Sequence, residues 1–462
     1  MQLLKMMIAS NRNGLGGDSS EEGRELQHAI DALSTVIYIA DLYKELANGH
    51  CLWNLPARVQ WHGADAATTS MWQEYADLLR SDVTTWEEQR QSMFIKHRTL
   101  NYLSPRSIFL LSDALSRASS ASVRAILRTI DSAFAAYNSA HWSAVQDEMP
   151  LDEEPNVTSL PRLGNALVKL ERVACYLNKS FGRLQLCGGP TAQQISPGVR
   201  AISINDCNMW PSAVLTVFDD RMPLSVQMLY GLAETTDEQV DRFLRLVSLN
   251  AGRSECVFMI TGMENLRGDL AIRVVTRLAA ERSMSARVFV LISHSGMANA
   301  ANETLQDLVR RLPVATLHLH QLETIRKRVV SFLQKSSVTL QVVWSKEAGA
   351  GKSVAARAFL KGNESHAATF AVHSQLSVIV TQLNILLART SHETHKSQEP
   401  RRILLHWART DESNEKAAWD ARQTVLLFQY LINGFITDDC GATALLHPYS
   451  STRIAIELIE VR

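Results

Sequence analysis

The sequence has no excess of charge of either sign, since 47 lysine and arginine residues balance 47 aspartate and glutamate residues. A protein dedicated to nucleic acid usually carries a clustered basic surface. The even balance therefore argues against that class of protein, and we expect no specific nucleic-acid partner.

Cysteine is scarce, and its six residues are scattered without a C-x-x-C pair. No pair of histidines completes a zinc pattern. We expect His318 and His320 on one face of a strand, without a third ligand. Each cysteine is expected to be a buried, reduced thiol, which suits a cytoplasmic protein.

Long hydrophobic runs are also missing from the sequence. No stretch of about 18 apolar residues occurs, so we expect no membrane span. The apolar stretch at the N-terminus is short and is interrupted by Lys5, which makes it too weak for a signal peptide. A cytoplasmic location is the expectation that follows.

The length of 462 residues predicts between about two and four domains. A polar, glycine-rich segment at 1–25 is typical of a flexible tail. Apolar residues at three- and four-residue steps then predict a helical region at 26–145. Residues 146–161 contain three prolines and five acidic residues, a composition that predicts an exposed linker.

Within the helical region we predict four helices. The second, at about 69–97, should turn four large side chains toward its apolar side: Leu78, Leu79, Val83 and Trp86. Ser104 followed by Pro105 is a helix-start signal for the third. The fourth is expected from Ser119 to about Ala140.

Beyond the linker, short strands rich in β-branched residues alternate with helical patterns. This alternation predicts parallel sheets flanked by helices, the α/β class. Two successive α/β modules are expected, at 162–335 and 336–462. Several tryptophans are expected to be core or interface anchors: Trp61, Trp72, Trp86 and Trp210.

The clearest motif is a strand at 338–344 that runs into SKEAGAGKS, with a helix from Ser353, which predicts a P-loop fold. Gly349 and Gly351, with Ala350 between them, would let backbone N–H groups turn toward a phosphate. Lys352 would reach the β- and γ-phosphates of ATP, and the Ser353 hydroxyl would bind Mg²⁺.

Two features depart from the full nucleotide-binding pattern. Lys346 stands where the first glycine of G-x-x-x-x-G-K-[ST] is expected. The strand that should present a carboxylate to Mg²⁺ ends in His406-Trp407-Ala408. Asp411 and Glu412 follow it and are weak catalytic candidates, although an exposed cap for the next helix is an alternative interpretation.

The earlier module has no Gly-Lys-Ser/Thr sequence, so it resembles a degenerate ATPase fold. Glu264 and Ser293 follow or end two of its strands, where a P-loop fold carries its catalytic acid and a polar sensor. We expect both to be ordinary strand-end residues.

Four stretches in order resemble segments of the mysterin-type giant AAA+ E3 ubiquitin ligases. They are HRTLNYLSPRSIFLLSDAL at 97–115, MPLSVQMLYGLAETTDEQVDRFLRLV at 222–247, AGAGKS at 348–353 and LLFQYLINGFITDDCGATALLHPYSSTRIAIELIEV at 426–461. Together they cover the chain from about residue 100 onward.

The resemblance implies that residues 162–335 are a degenerate AAA unit and 336–462 the start of a P-loop AAA unit, truncated before its lid. It implies ATP and Mg²⁺ as cofactors and Gly349, Gly351, Lys352 and Ser353 as nucleotide-binding positions. The family's carboxylate falls on Trp407, which puts hydrolysis in doubt. Further AAA units or a ubiquitin-ligase module, in cis or in trans, are the implied partners.

Three functions fit these patterns. The first is an ATP-binding AAA+ segment that serves a ubiquitin ligase whose transfer module lies outside this chain. The second is a non-catalytic scaffold that keeps the fold with a degenerate nucleotide site. The third is a P-loop switch or small-molecule kinase, but no acceptor pocket or catalytic acid can be identified for it.

Overall fold

The computed structural model describes residues 21–48, 66–117, 120–130, 161–181, 184–204, 209–219, 221–281, 284–293, 303–335, 338–344, 351–360, 366–370, 378–386, 401–409, 424–437, 443–445 and 452–460. Within them, a helical N-terminal region precedes two parallel sheets flanked by helices, as the α/β prediction requires. The first helix begins at Glu21, so the last residues of the predicted tail are helical. The predicted linker lies outside the described residues up to residue 160.

Five helices lie among the described residues up to residue 181, and the last of them begins at the final residue of the predicted linker. They are α1 (Glu21–Asn48), α2 (Ala66–Lys96), α3 (Pro105–Ser116), α4 (Ser120–Leu127) and α5 (Pro161–Phe181), with a 3₁₀ turn at Arg98–Tyr102. The predicted start of α3 is confirmed, because the Ser104 hydroxyl accepts a hydrogen bond from the Ser107 backbone N–H.

Two predictions in this region were wrong in detail. Helix α4 ends at Leu127 rather than near Ala140. The hydroxyl of Ser225 donates to the Thr129 carbonyl at 2.7 Å, an oxygen that a continuing helix would have used itself. Leu78 is 67% exposed, because it lies one position off the buried stripe of α2. That stripe is Trp72, Ala76, Leu79, Val83 and Trp86.

The first sheet has five parallel strands in the order β2-β3-β4-β1-β5. The strands are β1 (Gly198–Ile204), β2 (Met228–Tyr230), β3 (Val257–Thr261), β4 (Arg287–Ser293) and β5 (Val314–Ala315). Its helices are α6 (Pro190–Gln194), α7 (Trp210–Phe218), α8 (Asp237–Leu249), α9 (Gly268–Ala280), α10 (Glu303–Arg310) and α11 (Leu322–Lys335). Residues 316–321 have no regular structure, so the prediction of a strand at His318 and His320 was wrong.

The second sheet has four parallel strands in the order β6-β11-β8-β7. They are β6 (Val338–Trp344), β7 (His366–Phe370), β8 (Arg401–Arg409) and β11 (Thr452–Glu460). Helix α12 (Lys352–Leu360) follows β6, and residues 378–386 and 424–428 are also helical. A π-helical turn at Gln429–Asn433 leads into a small antiparallel pair, β9 (Phe435–Thr437) and β10 (Thr443–Leu445).

The two sheets share one connectivity. When the parallel strands of each module are counted along the chain, both sheets place the fourth strand between the first and the third, with the second at the edge. The first module adds its fifth strand beside its first. The described residues therefore contain two copies of the same sheet topology.

The helical region packs directly on the first module. One hydrophobic core runs from Trp86 and Leu100 in the helical region to Phe243 and Phe258 in the first module. At its edge, Arg245 of α8 donates to the Asn101 side chain at 3.0 Å and lies over the ring of Phe94. The helical region thus serves as a packing layer for the first module.

Candidate functional site

The predicted phosphate loop lies between β6 and α12. Gly349 and Ala350 fall outside the described residues, but Gly351 is described and has a φ of 70°, a conformation that favours glycine. Its carbonyl accepts the first helical hydrogen bond, from Ala355 N–H at 3.0 Å. The helix begins at Lys352, one residue before the predicted start. Ser353, in the first turn of this helix, is half-buried.

Helix α12 is held on one face of the second sheet. Ala356 and Leu360, both fully buried, pack against Leu404 of β8 and Ala455 of β11. These small and medium side chains let the helix lie close to the central strands. The start of the helix is thereby held near the ends of the strands that a bound phosphate would face.

The strand register shows which residues share the carboxyl edge of this sheet. Leu458 of β11 pairs with Trp344, the last residue of β6, and with Trp407 of β8. The strand predicted to present the carboxylate therefore reaches this edge, and it brings no acidic residue of its own. Asp411 and Glu412 lie outside the described residues.

The sequence analysis missed an acidic residue at the same edge. Glu460 ends β11, the strand that lies between β6 and β8, and it pairs with Arg409. No sequence motif surrounds Glu460. Its position near the phosphate loop follows only from the strand order, which places β11 beside β6.

The first module differs from the second at the corresponding corner, the connection between the first strand and the helix that follows it. Five residues, 205–209, connect β1 to α7, whereas seven, 345–351, connect β6 to α12. The shorter connection, NDCNM, contains no glycine. Its helix begins at Trp210, the counterpart of Lys352. Trp210 is buried, as expected of an anchor, and its ring packs against Tyr230 and Phe428.

Glu264 and Ser293 lie near the carboxyl ends of adjacent strands, as predicted. Glu264 is in a 3₁₀ turn that follows β3, and Ser293 is the buried last residue of β4. Burial raises the pKa of the Glu264 carboxyl, and a backbone hydrogen bond offsets only part of that rise. Its Oε2 atom is buried without a hydrogen-bond partner in the described part of the chain.

A polar cluster that the sequence analysis missed lies at the other end of α7. The carboxylate of Asp219 accepts hydrogen bonds from the Thr191 backbone N–H at 2.9 Å and from the His320 ring at 2.8 Å. Arg328 of α11 approaches the same carboxylate at 3.3 Å. Asp219 has a φ of 49°, the only positive φ of a non-glycine residue in the described ranges. Because His320 and Arg328 are about a hundred residues away in sequence, no local pattern could have indicated this cluster.

Metal-binding and membrane-spanning features are not found in the described ranges. Those residues contain no group of three or more His, Cys, Asp or Glu side chains that could hold a metal ion. No described helix is long and apolar enough to cross a membrane. Cys256 is a buried free thiol, as expected, but Cys175 is exposed and Cys187 is half-buried, so the prediction of burial was wrong for these two. Cys175 lies on the outer face of α5, between buried neighbours of the same helix.

No protein-family model matches the chain, and no curated protein matches it significantly.

Proposed function

We propose that residues 338–460 form an ATP-binding P-loop unit of the AAA+ type. The observation that carries this proposal is the combination of the GAGKS sequence with its place in the fold. The motif lies between a parallel strand and a helix that begins at Lys352. The next strand in the sheet is the fourth of the module, the same arrangement as in the first module.

In this proposal the backbone of residues 349–353 surrounds the phosphates, and the start of α12 contributes its positive dipole end. Lys352 contacts the β- and γ-phosphates, and Ser353 contributes a hydroxyl to Mg²⁺. The first module, with the same strand order but no glycine in its shorter connection, is a degenerate copy that does not bind nucleotide.

The resemblance to mysterin-type ligases extends the proposal to the surroundings of this unit. The chain would act in the cytoplasm beside further AAA units or a ubiquitin-ligase module. A non-catalytic scaffold is the second candidate function. It is favoured by the carboxyl end of β8, where Trp407 and Ala408 stand in place of an acidic pair.

The test is ATP affinity, measured by isothermal titration on the full chain with Mg²⁺. Lys352→Ala should weaken binding about tenfold to a hundredfold, because charge-assisted hydrogen bonds of ~1.5–3 kcal/mol are lost. Arg357→Ala is the matched control, since Arg357 is an exposed cation on the same helix. Equal affinity of the wild type and Lys352→Ala, at unchanged melting temperature, would reject the nucleotide site.

A further inference from the structure

The segment at residues 424–433 has two apolar faces that enter different cores. Val425, Phe428 and Ile432 belong to the core on one face of the first sheet. Leu426 and Tyr430 belong to the core of the second module. The spacing of three and four residues along each set is that of a helix with two opposed stripes. One segment of the second module is therefore part of the interior of both modules.

Helix α11 has the same double role. Ile325, near its start, lies in the first module's core, and Leu333, near its end, lies in the second module's core. Val329 and Phe332, between them, pack against both. Arg328, on the same helix, approaches Asp219 at the end of α7. Helix α11 is thus held to α7 by an ion pair as well as by apolar contact.

The second module contacts the first through a defined cluster of aromatic rings. Phe428 packs edge-on against Trp210, with ring centroids 4.9 Å apart, and Trp210 packs in turn against Tyr230 at 5.9 Å. Such edge-to-face contacts favour one relative orientation of the rings. Trp210 begins α7, the helix that follows the first strand, just as Lys352 begins α12 in the second module. The aromatic cluster therefore occupies the corner at which the second module carries its phosphate loop.

We propose that this corner of the first module is an intramolecular docking site for the second module, and that the docking couples the two modules. The first module then serves as a receptor for residues 424–433. The coupling passes through the face of the second sheet opposite to α12. Residues 424–433 lie in the same core as Ile403 and Ile454, whereas α12 packs on Leu404 and Ala455. The proposal does not depend on nucleotide binding.

The test compares hydrogen exchange of the full chain in two variants that truncate neighbouring buried residues on opposite faces. Phe428→Ala removes a contact with the first module, and Leu426→Ala removes a contact within the second. Phe428→Ala should speed exchange in α7 and β2 of the first module by about tenfold or more, because local opening of those elements becomes easier. Leu426→Ala should speed exchange mainly in β8 and β11.

The proposal fails if Phe428→Ala leaves exchange in α7 and β2 as slow as in the wild type. It also fails if Leu426→Ala speeds exchange there equally, because the effect would then be general destabilisation. Should Phe428→Ala not fold, Phe428→Leu replaces it, since leucine keeps an apolar side chain and removes the ring contact with Trp210. The same elements and the same criterion then decide the outcome.

Discussion

The Asp219 carboxylate lies 2.8 Å from Nε2 of His320, although 101 residues separate the two in the chain. Burial alone would raise the pKa of Asp219, but hydrogen bonds from Thr191 and His320 and the charge of His320 outweigh it and lower the pKa. The ionised carboxylate is thus stabilised by folding. Through this contact, the Asp219 carboxylate links the end of α7 to the segment that leads into α11 and the second module.

Asp219→Asn should therefore lower the free energy of unfolding at pH 7 by about 1–3 kcal/mol, the range for hydrogen bonds to charged groups. Urea unfolding measures the change. Asp269→Asn is the control, because the Asp269 side chain is 68% exposed in its ion pair with Arg267 and should change stability by less than about 0.5 kcal/mol. Equal effects of the two variants would contradict a special role for Asp219.

The stabilisation by Asp219 should also depend on pH. Since its pKa is lower in the folded protein than the unfolded value of about 3.9, the contribution is fully present above that value. It is lost as the pH falls through the folded pKa. The stability difference between wild type and Asp219→Asn should shrink as the pH is lowered from 5 toward 3, and a constant difference would disprove the assignment.

The contribution of Glu264 to stability should have the opposite pH dependence. Its pKa is raised by burial, so the unfolded chain, with a pKa of about 4.3, loses its proton at lower pH than the folded protein. The folded state is therefore penalised as the pH rises through the unfolded pKa toward the folded one. Glu264→Gln should match wild-type stability near pH 4 and exceed it at pH 7, as measured by urea unfolding at the two pH values. Glu88→Gln, at an exposed position, is the control substitution.

Cys175 and Cys256 should differ sharply in their reactivity toward an alkylating reagent. Burial raises the pKa of Cys256 to about 11, despite the opposing charge of Arg253, so almost no thiolate is present near neutral pH. Cys175 is exposed. Iodoacetamide at pH 7.5 should alkylate Cys175 in the native protein and leave Cys256 unmodified until denaturant is added, as read by peptide mass spectrometry. Equal labelling of both in the native state would contradict the described packing.

We expect the chain on its own to hydrolyse ATP slowly or not at all. Lys346 replaces the first loop glycine, and β8 reaches the carboxyl edge of the sheet without an acidic residue. Phosphoryl transfer depends on positioned charges, and an arginine supplied by a neighbouring unit is worth roughly 10³–10⁵ in rate. A phosphate-release assay, with Lys352→Ala as the blank, should detect turnover well below about 1 s⁻¹. Faster turnover that Glu460→Gln abolishes would instead assign the catalytic carboxylate to β11.

Local signals were enough to predict the elements that depend on neighbouring residues. Ser104 caps α3 because a serine before a proline has the right side chain and backbone for a helix start. The strand at 338–344 and the helix after Gly351 were predicted within one residue, since an apolar run, a glycine and a helical pattern follow one another directly. These predictions use only contacts between near neighbours, which the sequence by itself determines.

The tertiary structure alone decided which of these elements meet. Nothing local shows that β11 inserts between β6 and β8, because the order of parallel strands depends on long crossovers and on packing. Likewise, the periodicity of residues 424–433 indicates a helix with much apolar surface, but not that Phe428 reaches Trp210 while Leu426 stays in its own module. His320 was predicted on a strand, yet it lies in the irregular segment after β5, where its ring is hydrogen-bonded to Asp219. A buried carboxylate needs hydrogen-bond donors, and the local sequence does not show which distant residue supplies one.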